Sequence, residues 1–366
     1  MKTAFITDWL EKYGGAERVV TAINELYKFD YYYAYVNKMD HDTQLLTLGG
    51  NDVTVIESNV LKKFKYKFRL FLPIFPWIVK RFNQQTQKNK VDLVISSSWA
   101  LSKGYRIGDE VHVSYLQARN FKYVWDEAAL YFKGIVKLFL PVKPGLQDFD
   151  LKSAQTPDYL ISNSKFVQNW VKKKYNRDSV VIYPPVEVES FEISSKKEDY
   201  FVIVGRIEPY KRFDIVIEAF NQNGKKLIVI GDGSQSRYLK KIARNNIEFI
   251  GFQKKDVIKT YLAKARAFVY AGVEDFGIAL VEAHASGTPV IAYKGGAAGE
   301  IVNESNGLCY EEQTAEALNK TLDHFLSKEN EYSSQEIRNS SLRFSKKRFQ
   351  TEFKEYINTV MSKHKK

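Results

Sequence analysis

The segment AFVYAGVEDFGIALVEAHASGTPVIAYKGG, residues 267–296, contains a strand, a helix and a second strand, and it decides the predicted fold. Short apolar runs at Ala267–Tyr270 and Pro289–Tyr293 are each followed by glycine, which is typical of a buried strand that ends in a turn. Apolar residues return at helical spacing over Gly277–Ser286. Because two strands joined through a helix normally lie parallel, this segment predicts a βαβ unit.

The same alternation runs through the rest of the second half of the chain. Three further apolar runs there each end at glycine, and each is followed or preceded by a helical pattern. Repetition of strand, glycine turn and helix predicts a doubly wound sheet, whose ligands bind at the carboxyl ends of the strands. The predicted strands are Tyr200–Val204, Lys226–Ile230 and Ile247–Ile250, and the predicted helices are Asp214–Phe220, Arg237–Asn245 and Asp256–Ala263.

The first half also predicts an alternating α/β domain with a parallel sheet. Lys2–Thr7 is a short apolar run, a Gly14-Gly15 loop follows it, and Ala16–Leu26 has helical spacing. Further strands are predicted at Tyr31–Tyr35, Asp52–Ile56, Leu93–Ser96, Val111–Tyr115 and Tyr159–Ser162.

Two consecutive prolines mark the boundary between the halves, because proline extends neither a helix nor a central strand. Pro184-Pro185 therefore divides the chain into a first domain, residues 1–184, and a second domain, residues 185–344. The last stretch predicts an amphipathic helix over residues 345–366 that packs back on the first domain. Its apolar side carries Phe349, Phe353, Ile357 and Val360.

Composition excludes several classes of protein. Of the 366 residues in the chain, 44% are hydrophobic and 27% are charged. This composition is typical of globular domains and not of disordered or collagen-like chains. Its single cysteine, Cys309, forms no intrachain disulfide, and no cysteine and histidine cluster has zinc spacing. The amino terminus does not read as a signal peptide, and no uncharged apolar run reaches about 18 residues. We therefore expect a cytoplasmic protein that binds no metal and no cofactor.

The net charge of +12 is concentrated in the first half of the chain. Residues 1–183 hold 27 basic and 18 acidic side chains, and residues 184–366 hold 28 and 25. Residues 59–90, the basic aromatic segment, contain nine basic residues and no acidic one, with large apolar residues between them. Such a segment suits an anionic membrane surface, so we expect peripheral binding to the inner face of the cell membrane. The alternative is a core helix pair around Pro73 and Pro76 with a solvated basic face. No nucleic-acid motif accompanies the charge, so no nucleic-acid partner is expected.

Two motifs in the second half carry the chemistry. Arg206 and Lys211 follow a predicted strand and flank a rigid proline, and together they suit a diphosphate, unless they are two ordinary surface cations. Glu274 follows another strand, Gly277 opens the next helix, where free backbone N–H groups can bind an anion, and Glu282 lies two turns further along it. One carboxylate can accept from sugar hydroxyls and the other from a ribose diol, although both could instead be partners of the helix dipole.

Together these motifs resemble glycosyltransferase family 4, whose members are retaining enzymes of the GT-B architecture. The resemblance covers nearly the whole chain and includes Gly14-Gly15-Ala16-Glu17. It implies an α/β fold with two Rossmann-like doubly wound domains that face a central cleft. Further segments are similar to bacterial polysaccharide and O-antigen mannosyltransferases that use GDP-mannose: Asp8-Trp9-Leu10, Tyr123-Val-Trp125-Asp126, Ser153-Ala154-Gln155, Tyr183-Pro-Pro-Val186, Gly205–Lys211 and Glu274–Ile278.

The resemblance also implies a role for each matching residue. Arg206 and Lys211 would hold the donor diphosphate, and Glu282 would bind the ribose. Glu274 would hold the transferred sugar and the phosphate, together with the backbone N–H groups of Phe276, Gly277 and Ile278. The Gly14-Gly15 loop would approach the phosphates or the acceptor, where a side chain would block the approach. Gly205 would also belong to the donor site. The base would lie near Gly231 and the Gly251-Phe252 turn, and the Phe252 ring either stacks on the base or is an ordinary core residue.

The sequence departs from the family pattern before Trp125. Relatives commonly carry His-Thr-Pro there, and that histidine contacts the transferred sugar in many of them. The matching stretch here has no histidine, and His112 lies nearby on a predicted strand. Gln117 or Arg119 could supply a hydrogen bond instead. Asp8, Trp9 and Trp125 complete the residues that the resemblance assigns to the acceptor side.

The function implied is a retaining, metal-independent hexosyltransferase that moves mannose from GDP-mannose to a glycan acceptor, which we expect to be lipid-linked. Asp148-Phe-Asp150 has the spacing of a metal-binding motif but does not end an apolar strand, so it is interpreted as coincidence. The alternatives are a UDP- or dTDP-sugar donor, a nucleotide-sugar hydrolase, a sugar phosphorylase, and a non-catalytic partner subunit with the same fold.

Overall fold

The computed structural model describes residues 1–64, 67–122, 124–128 and 141–364. Lys65, Tyr66 and Tyr123, together with the last two residues of the predicted C-terminal helix, lie outside the described residues. The chain forms two compact units. The first comprises residues 1–185 and 347–366, and the second comprises residues 186–346.

A parallel sheet of seven strands forms the centre of the first unit, in the order β3-β2-β1-β4-β5-β6-β7. Every pairing in this sheet is parallel, as the alternating pattern predicts. The strand order reverses between β1 and β4, which makes this the switch point of the sheet. The strands are β1 Thr3–Leu10, β2 Tyr31–Asn37, β3 Val55–Glu57, β4 Leu93–Ser98, β5 Val111–Leu116, β6 Tyr159–Ser162 and β7 Val180–Val181.

Helices with identifiable start signals connect these strands. Ser164 accepts a hydrogen bond from the N–H of Val167 at 3.0 Å and begins one helix, and Asp40 accepts one from Thr43 at 2.8 Å and begins another. Side-chain caps of this kind satisfy N–H groups that have no partner inside the helix. The α-helices are Gly15–Leu26, His41–Thr47, Phe75–Thr86, Lys143–Ser153 and Lys165–Tyr175.

The last helix, Lys346–His364, packs on the first unit. One side of it is fully buried and joins a core cluster that includes Phe5, Val20 and Tyr115. The rings of Tyr115 and Phe349 lie 5.9 Å apart, edge to face. The buried residues of this helix are Phe349, Phe353, Ile357 and Val360.

A second parallel sheet, of six strands, forms the centre of the second unit, in the order β10-β9-β8-β11-β12-β13. Its switch point lies between β8 and β11. The strands are β8 Phe201–Val204, β9 Leu227–Ile230, β10 Ile247–Gly251, β11 Phe268–Tyr270, β12 Val290–Tyr293 and β13 Gly307–Tyr310. The helices are Phe213–Asn223, Ser236–Ile242, Lys255–Lys264, Ile278–Ala285, Ala298–Ile301, Ala315–Ser327 and Ser334–Ser341.

Three strands differ from the sequence prediction, and one of them, the two-residue β7, was not predicted. β1 continues to Leu10 instead of ending at Thr7, because the charged residue that suggested its end, Asp8, is fully buried within the strand. β13 was not predicted, because it begins with glycine and has only four residues. Gly307 must be glycine there, since a Cβ atom would lie 2.0 Å from the Val290 carbonyl oxygen on β12.

The basic aromatic segment forms two 3₁₀ turns, Leu61–Phe64 and Phe68–Ile74, and then the helix Phe75–Thr86. Some of its apolar residues are buried and others are exposed, so part of the segment belongs to the core. The described lysines and arginines of the segment are exposed as well. The buried set is Leu61, Phe68, Phe75, Ile78, Val79 and Phe82, and the exposed set is Phe64, Leu70, Ile74 and Trp77. Within the described residues, no helix has the length and apolarity needed to cross a membrane.

Candidate functional site

The two motifs of the second half meet at the switch point of the second sheet. Arg206 and Lys211 follow β8, and Glu274 follows β11, which is the neighbour of β8. Because the carboxyl ends of parallel strands share one edge, Lys211 and Glu274, which are 63 positions apart in sequence, come together here. The ligand-binding crevice of a doubly wound sheet lies at this edge.

A cluster of Lys211, Tyr270 and Glu274, here called the Glu274 cluster, forms the centre of this edge. The Lys211 ammonium and the Tyr270 hydroxyl both donate to the same carboxylate oxygen of Glu274, Oε1. The side chains of Lys211 and Glu274 are each 19% exposed, so the ion pair is within reach of a ligand. Tyr270 is buried, and its burial and the nearby Glu274 charge hold the pKa of its hydroxyl well above the ordinary value. The hydroxyl therefore remains protonated and donates throughout the physiological pH range.

The backbone of Glu274 is fixed by the turn that follows β12. Its carbonyl accepts a hydrogen bond from the N–H of Ala297 at 2.9 Å, and it pairs with Gly296. A Cβ atom on Gly296 would lie 2.3 Å from the Glu274 carbonyl oxygen, so glycine is required for this contact. The glycines after β12 thus position the Glu274 backbone.

Arg206 is exposed, and Tyr210 connects it to Lys211 of the Glu274 cluster. Its Nη2 atom donates to the Tyr210 hydroxyl at 2.9 Å. The Lys211 ammonium lies 5.5 Å from the centre of the Tyr210 ring and 5.7 Å from that of Tyr270, close enough for cation–π attraction. Two tyrosines therefore line the lysine, and one of them also orients the arginine.

The helix Ile278–Ala285 begins directly beyond the Glu274 cluster. Gly277 precedes it with φ of 103°, a conformation that favours glycine. The backbone N–H groups at this helix start are those that the family resemblance assigns to the phosphate. The side chain of Phe276 is buried, and its ring centre lies 5.4 Å from that of Phe344. Glu282 lies on the same helix and is 9% exposed.

The glycines predicted near the base have a packing role in addition. Gly231 has φ of 137°, and a Cβ atom on it would lie 1.9 Å from the Gly205 carbonyl oxygen. The turns after β8 and β9 therefore touch through their backbones. Phe252, just after β10, is 82% exposed, so its ring is not an ordinary core residue. Its face is open to a planar ligand.

In the first unit, the sheet edge brings Gln117 to the glycine loop. Gly14 and Gly15 lie at the start of the helix Gly15–Leu26, beyond the end of β1. Gln117 follows β5, and its Nε2 atom donates to the Ala16 carbonyl at 3.2 Å and to the Ser97 hydroxyl at 2.8 Å. The Gln117 carbonyl accepts from the Asn163 amide at 2.6 Å. Gln117 thus connects β4 with the segments that follow β1, β5 and β6.

Asp8 and Trp9 lie inside β1. Asp8 is fully buried, and its two carboxylate oxygens accept four backbone N–H groups at 2.6–2.7 Å. This carboxylate therefore fixes the segment after β4; the four donors are the N–H groups of Trp99, Ala100, Leu101 and Ser102. The Trp9 ring packs against Phe68 at 5.1 Å and Trp99 at 5.7 Å.

Arg119 and Trp125 are held by acidic partners. The Arg119 guanidinium is largely buried and lies 3.3 Å from Glu127 and 3.6 Å from Asp126. The Trp125 indole donates to Asp150 at 2.7 Å. Asp150 also pairs with the buried ammonium of Lys103 at 2.6 Å.

His112 does not lie at the sheet edge where the missing histidine would be. It is fully buried in β5 and contacts the Ser96 hydroxyl at 2.8 Å. Burial lowers its pKa to about 3, so the ring is neutral.

Comparison with solved structures identifies the architecture. The chain aligns with HepE of Anabaena, whose structure was solved in complex with UDP, at a TM-score of 0.72 and 19% identity. The alignment covers 98% of this chain and all of that one. The fold is GT-B.

The second unit of this GT-B chain also has sequence relatives. Residues 186–342 match the family model described as glycosyl transferases group 1. An uncharacterized glycosyltransferase of Methanocaldococcus jannaschii is 31% identical over 173 residues, and the O-antigen chain mannosyltransferase RfbU of Salmonella typhimurium is 30% identical over 145. These alignments cover 45% and 36% of this chain, and 48% and 41% of the relatives, so less than half of either relative is spanned. The match and the GT-B fold support a glycosyltransferase.

Sequence reasoning missed two tyrosines at the carboxyl edge of the second sheet, Tyr210 and Tyr270. Tyr210 carried a usable signal, since it stands between the two cations, whereas Tyr270 was counted only as the last residue of a predicted strand. Asn163 was also missed, because its contact with the Gln117 carbonyl joins two residues that lie 46 positions apart in the sequence.

Proposed function

We propose that this protein is a retaining, metal-independent glycosyltransferase that moves mannose from GDP-mannose to a glycan acceptor. The observation that carries the proposal is the Glu274 cluster beside Arg206 at the switch point of the second sheet. It combines two cations, a carboxylate and a helix start at one sheet edge. Those are the groups that a sugar bound to a diphosphate requires.

The donor would bind to the second unit. Arg206 can grip phosphate oxygens with its planar fork, and Lys211 adds a point charge. The N–H groups at the start of the helix Ile278–Ala285 would complete the anion site. Glu282 would accept from the ribose hydroxyls, and the exposed Phe252 ring would stack on the base.

Transfer would break the bond between the anomeric carbon and the phosphate oxygen. The acceptor hydroxyl oxygen would bond to that carbon on the same face, so the configuration is retained. The acceptor proton would pass to the departing phosphate oxygen, and the diphosphate charge that develops would be stabilised by Arg206, Lys211 and the helix start. The protein residues invoked here bind and orient, and none forms a covalent bond.

Mannose is proposed because two lines of similarity point to it. The motifs resemble mannosyltransferases that use GDP-mannose, and a relative named as an O-antigen chain mannosyltransferase is 30% identical in the aligned stretch. The structural neighbour HepE was solved with UDP, so a UDP-sugar is the competing donor. A dTDP-sugar remains the third choice.

The acceptor would be a lipid-linked glycan, recognised by the first unit at the edge that carries Gly14, Gly15 and Gln117. The basic aromatic segment would hold the protein on the anionic membrane that contains such an acceptor. Leu70 is 60% exposed and Trp77 48%, and the Arg81 guanidinium lies 5.8 Å from the Trp77 ring. Exposed apolar side chains beside cations suit insertion among anionic headgroups.

A donor screen tests the proposal. The purified protein is mixed with GDP-, UDP- and dTDP-sugars, and thermal stabilisation and nucleotide release are measured with and without EDTA. We expect GDP-mannose to stabilise the protein most and EDTA to change nothing. Stabilisation by a UDP-sugar alone would contradict GDP-mannose as the donor. Loss of nucleotide release in EDTA would contradict metal independence. No response to any nucleotide sugar would favour a non-catalytic partner subunit. Release at an equal rate without acceptor would identify a hydrolase.

A further inference from the structure

Both donors in the Glu274 cluster use the same carboxylate oxygen. Lys211 and Tyr270 each donate to Oε1, and among the described residues no hydrogen bond to Oε2 is seen. The carboxylate is therefore held at one oxygen, while the other is available to a ligand. Since Glu274 is partly exposed, that second oxygen can accept from a sugar hydroxyl.

The two donors differ in how firmly they are fixed. Lys211 has a flexible side chain and a charge that a diphosphate would attract, so ligand binding would draw its ammonium away from Glu274. Tyr270 is the last residue of β11, is 1% exposed, and its ring stacks near Phe268 at 6.2 Å. Its carbonyl accepts from the Tyr310 hydroxyl at 3.0 Å. Tyr270 therefore keeps its place when Lys211 moves.

Gly272 makes room for this arrangement. A Cβ atom at that position would lie 2.9 Å from the Tyr270 hydroxyl oxygen and 3.0 Å from the Lys211 carbonyl oxygen. Because this residue is glycine, the Tyr270 hydroxyl and the Lys211 backbone can both lie close to it. The strand end, the glycine and the tyrosine thus form one support for Glu274.

We propose that Tyr270 is a positioning residue that holds Glu274 by Oε1, so that Oε2 faces the hydroxyls of the transferred sugar after Lys211 has turned to the diphosphate. This inference rests on the proposed function and adds a residue to it. The Tyr270 side chain would touch Glu274 but no part of the donor. Loss of the Tyr270 hydroxyl would therefore weaken the contact with the sugar and leave the binding of the nucleotide diphosphate unchanged.

The test compares Tyr270→Phe with Tyr200→Phe. Tyr200 is a buried tyrosine of the same unit whose hydroxyl donates to the Tyr261 carbonyl at 2.9 Å, away from the site. Affinity for GDP and for GDP-mannose, and kcat for transfer, are measured for both variants and the unmodified chain; if the screen selects UDP, UDP and UDP-glucose are used. We expect Tyr270→Phe to lower kcat about tenfold, the effect of one hydrogen bond to a charged group, with GDP affinity within about twofold. Tyr200→Phe should match the unmodified chain.

Three results would overturn the role of Tyr270. One is an unchanged kcat in Tyr270→Phe. Another is an equal loss of affinity for GDP and GDP-mannose in that variant, which would indicate a loosened fold. A third is a similar loss of kcat in Tyr200→Phe. These results leave the proposed function standing, whereas failure of the unmodified chain to bind any nucleotide sugar would overturn both.

Discussion

At the scale of single residues, an ion pair can either stabilise the fold or form part of a ligand-binding site. Lys211 and Glu274 form a direct, partly exposed ion pair, and the buried Tyr270 donates a hydrogen bond to the same carboxylate. Each of the two side chains is 19% exposed, so a ligand can still reach the pair. We therefore expect its loss to reduce turnover.

Lys211→Ala and Glu274→Ala should each reduce turnover by well over about tenfold, because each removes more than about 1.4 kcal/mol of transition-state stabilisation. Steady-state kinetics and urea unfolding are measured together. The controls are Lys240→Ala and Glu248→Ala, exposed residues of the same unit that make no contact with the Glu274 cluster. Full activity in either cluster variant would contradict the assignment.

Asp8 is the opposite case, a charged residue whose effect should be on stability. Asp8→Ala leaves four backbone N–H groups without their acceptor in a buried place, so we expect the free energy of unfolding to fall by about 3–5 kcal/mol. Asp40→Ala removes the same side chain from an exposed helix cap and should cost about 1 kcal/mol. Urea unfolding measures both, and equal losses would contradict the role given to Asp8.

Asp8 and Tyr270 also mark the limit of sequence reasoning about the site. Arg206, Lys211 and Glu274 were predictable, because cations and carboxylates directly after apolar strands lie at one sheet edge. Nothing in the sequence indicates that Asp8 is enclosed by residues 99–102, since that depends on how a distant segment curls around it. Tyr270 was counted as a strand residue, and only the fold brings its hydroxyl to Glu274.

At the scale of elements, the sheets of the two units were predictable from strand, glycine and helix alternation. The exceptions, β7 and β13, are edge strands: β7 has only two residues, and β13 begins with glycine. The glycine turns predicted the carboxyl edge correctly, but their reason is partly steric. Gly231 is glycine because the backbone of the neighbouring turn lies against it.

Gly231→Ala should therefore destabilise the second unit strongly, since the new Cβ atom would collide with the Gly205 carbonyl oxygen. Gly224→Ala is a matched control, because Gly224 also has positive φ but has open space around its Cβ position. We expect about 1 kcal/mol for Gly224→Ala and at least about 3 kcal/mol for Gly231→Ala, measured by urea unfolding. Similar costs for both would show that conformation alone, and not contact, requires glycine at position 231.

The basic aromatic segment makes a second prediction at this scale. In vesicle flotation, the protein should bind anionic vesicles and not neutral ones, and Leu70→Ala with Trp77→Ala should reduce binding about tenfold or more, because two exposed apolar side chains are lost. Tyr238→Ala, an exposed aromatic residue of the second unit, should leave binding unchanged. Equal failure of the unmodified protein with both kinds of vesicle would remove the membrane hypothesis.

At the scale of the whole molecule, each unit contains a buried neutral histidine. Burial lowers the pKa of His112 and of His284 to about 3, whereas both titrate near pH 6.5 in an unfolded chain. Between those values the unfolded chain binds protons that the folded chain does not. Stability therefore falls as the pH drops from 6.5 towards 3, and neither histidine contributes above pH 6.5.

Each buried histidine should lower the free energy of unfolding by roughly 2–3 kcal/mol at pH 4.5 relative to pH 7.5. His112→Gln and His284→Gln should each remove that part of the pH dependence, whatever they do to stability at pH 7.5. His41→Gln serves as the control, because His41 is exposed and its pKa is raised by Asp52. The account would be contradicted if the difference in free energy of unfolding between the two pH values stayed the same in both His112→Gln and His284→Gln.

The C-terminal helix has a consequence for how the gene can be divided. The second unit is an insertion within the first, and its own two ends lie side by side, with the N–H of Val186 donating to the Phe344 carbonyl at 2.9 Å. Residues 186–346 can thus be expressed as one continuous fragment, or excised and replaced by a few residues of linker. A truncation after residue 345 would instead remove four buried apolar side chains from the first unit and expose an apolar surface that favours aggregation. These residues are Phe349, Phe353, Ile357 and Val360.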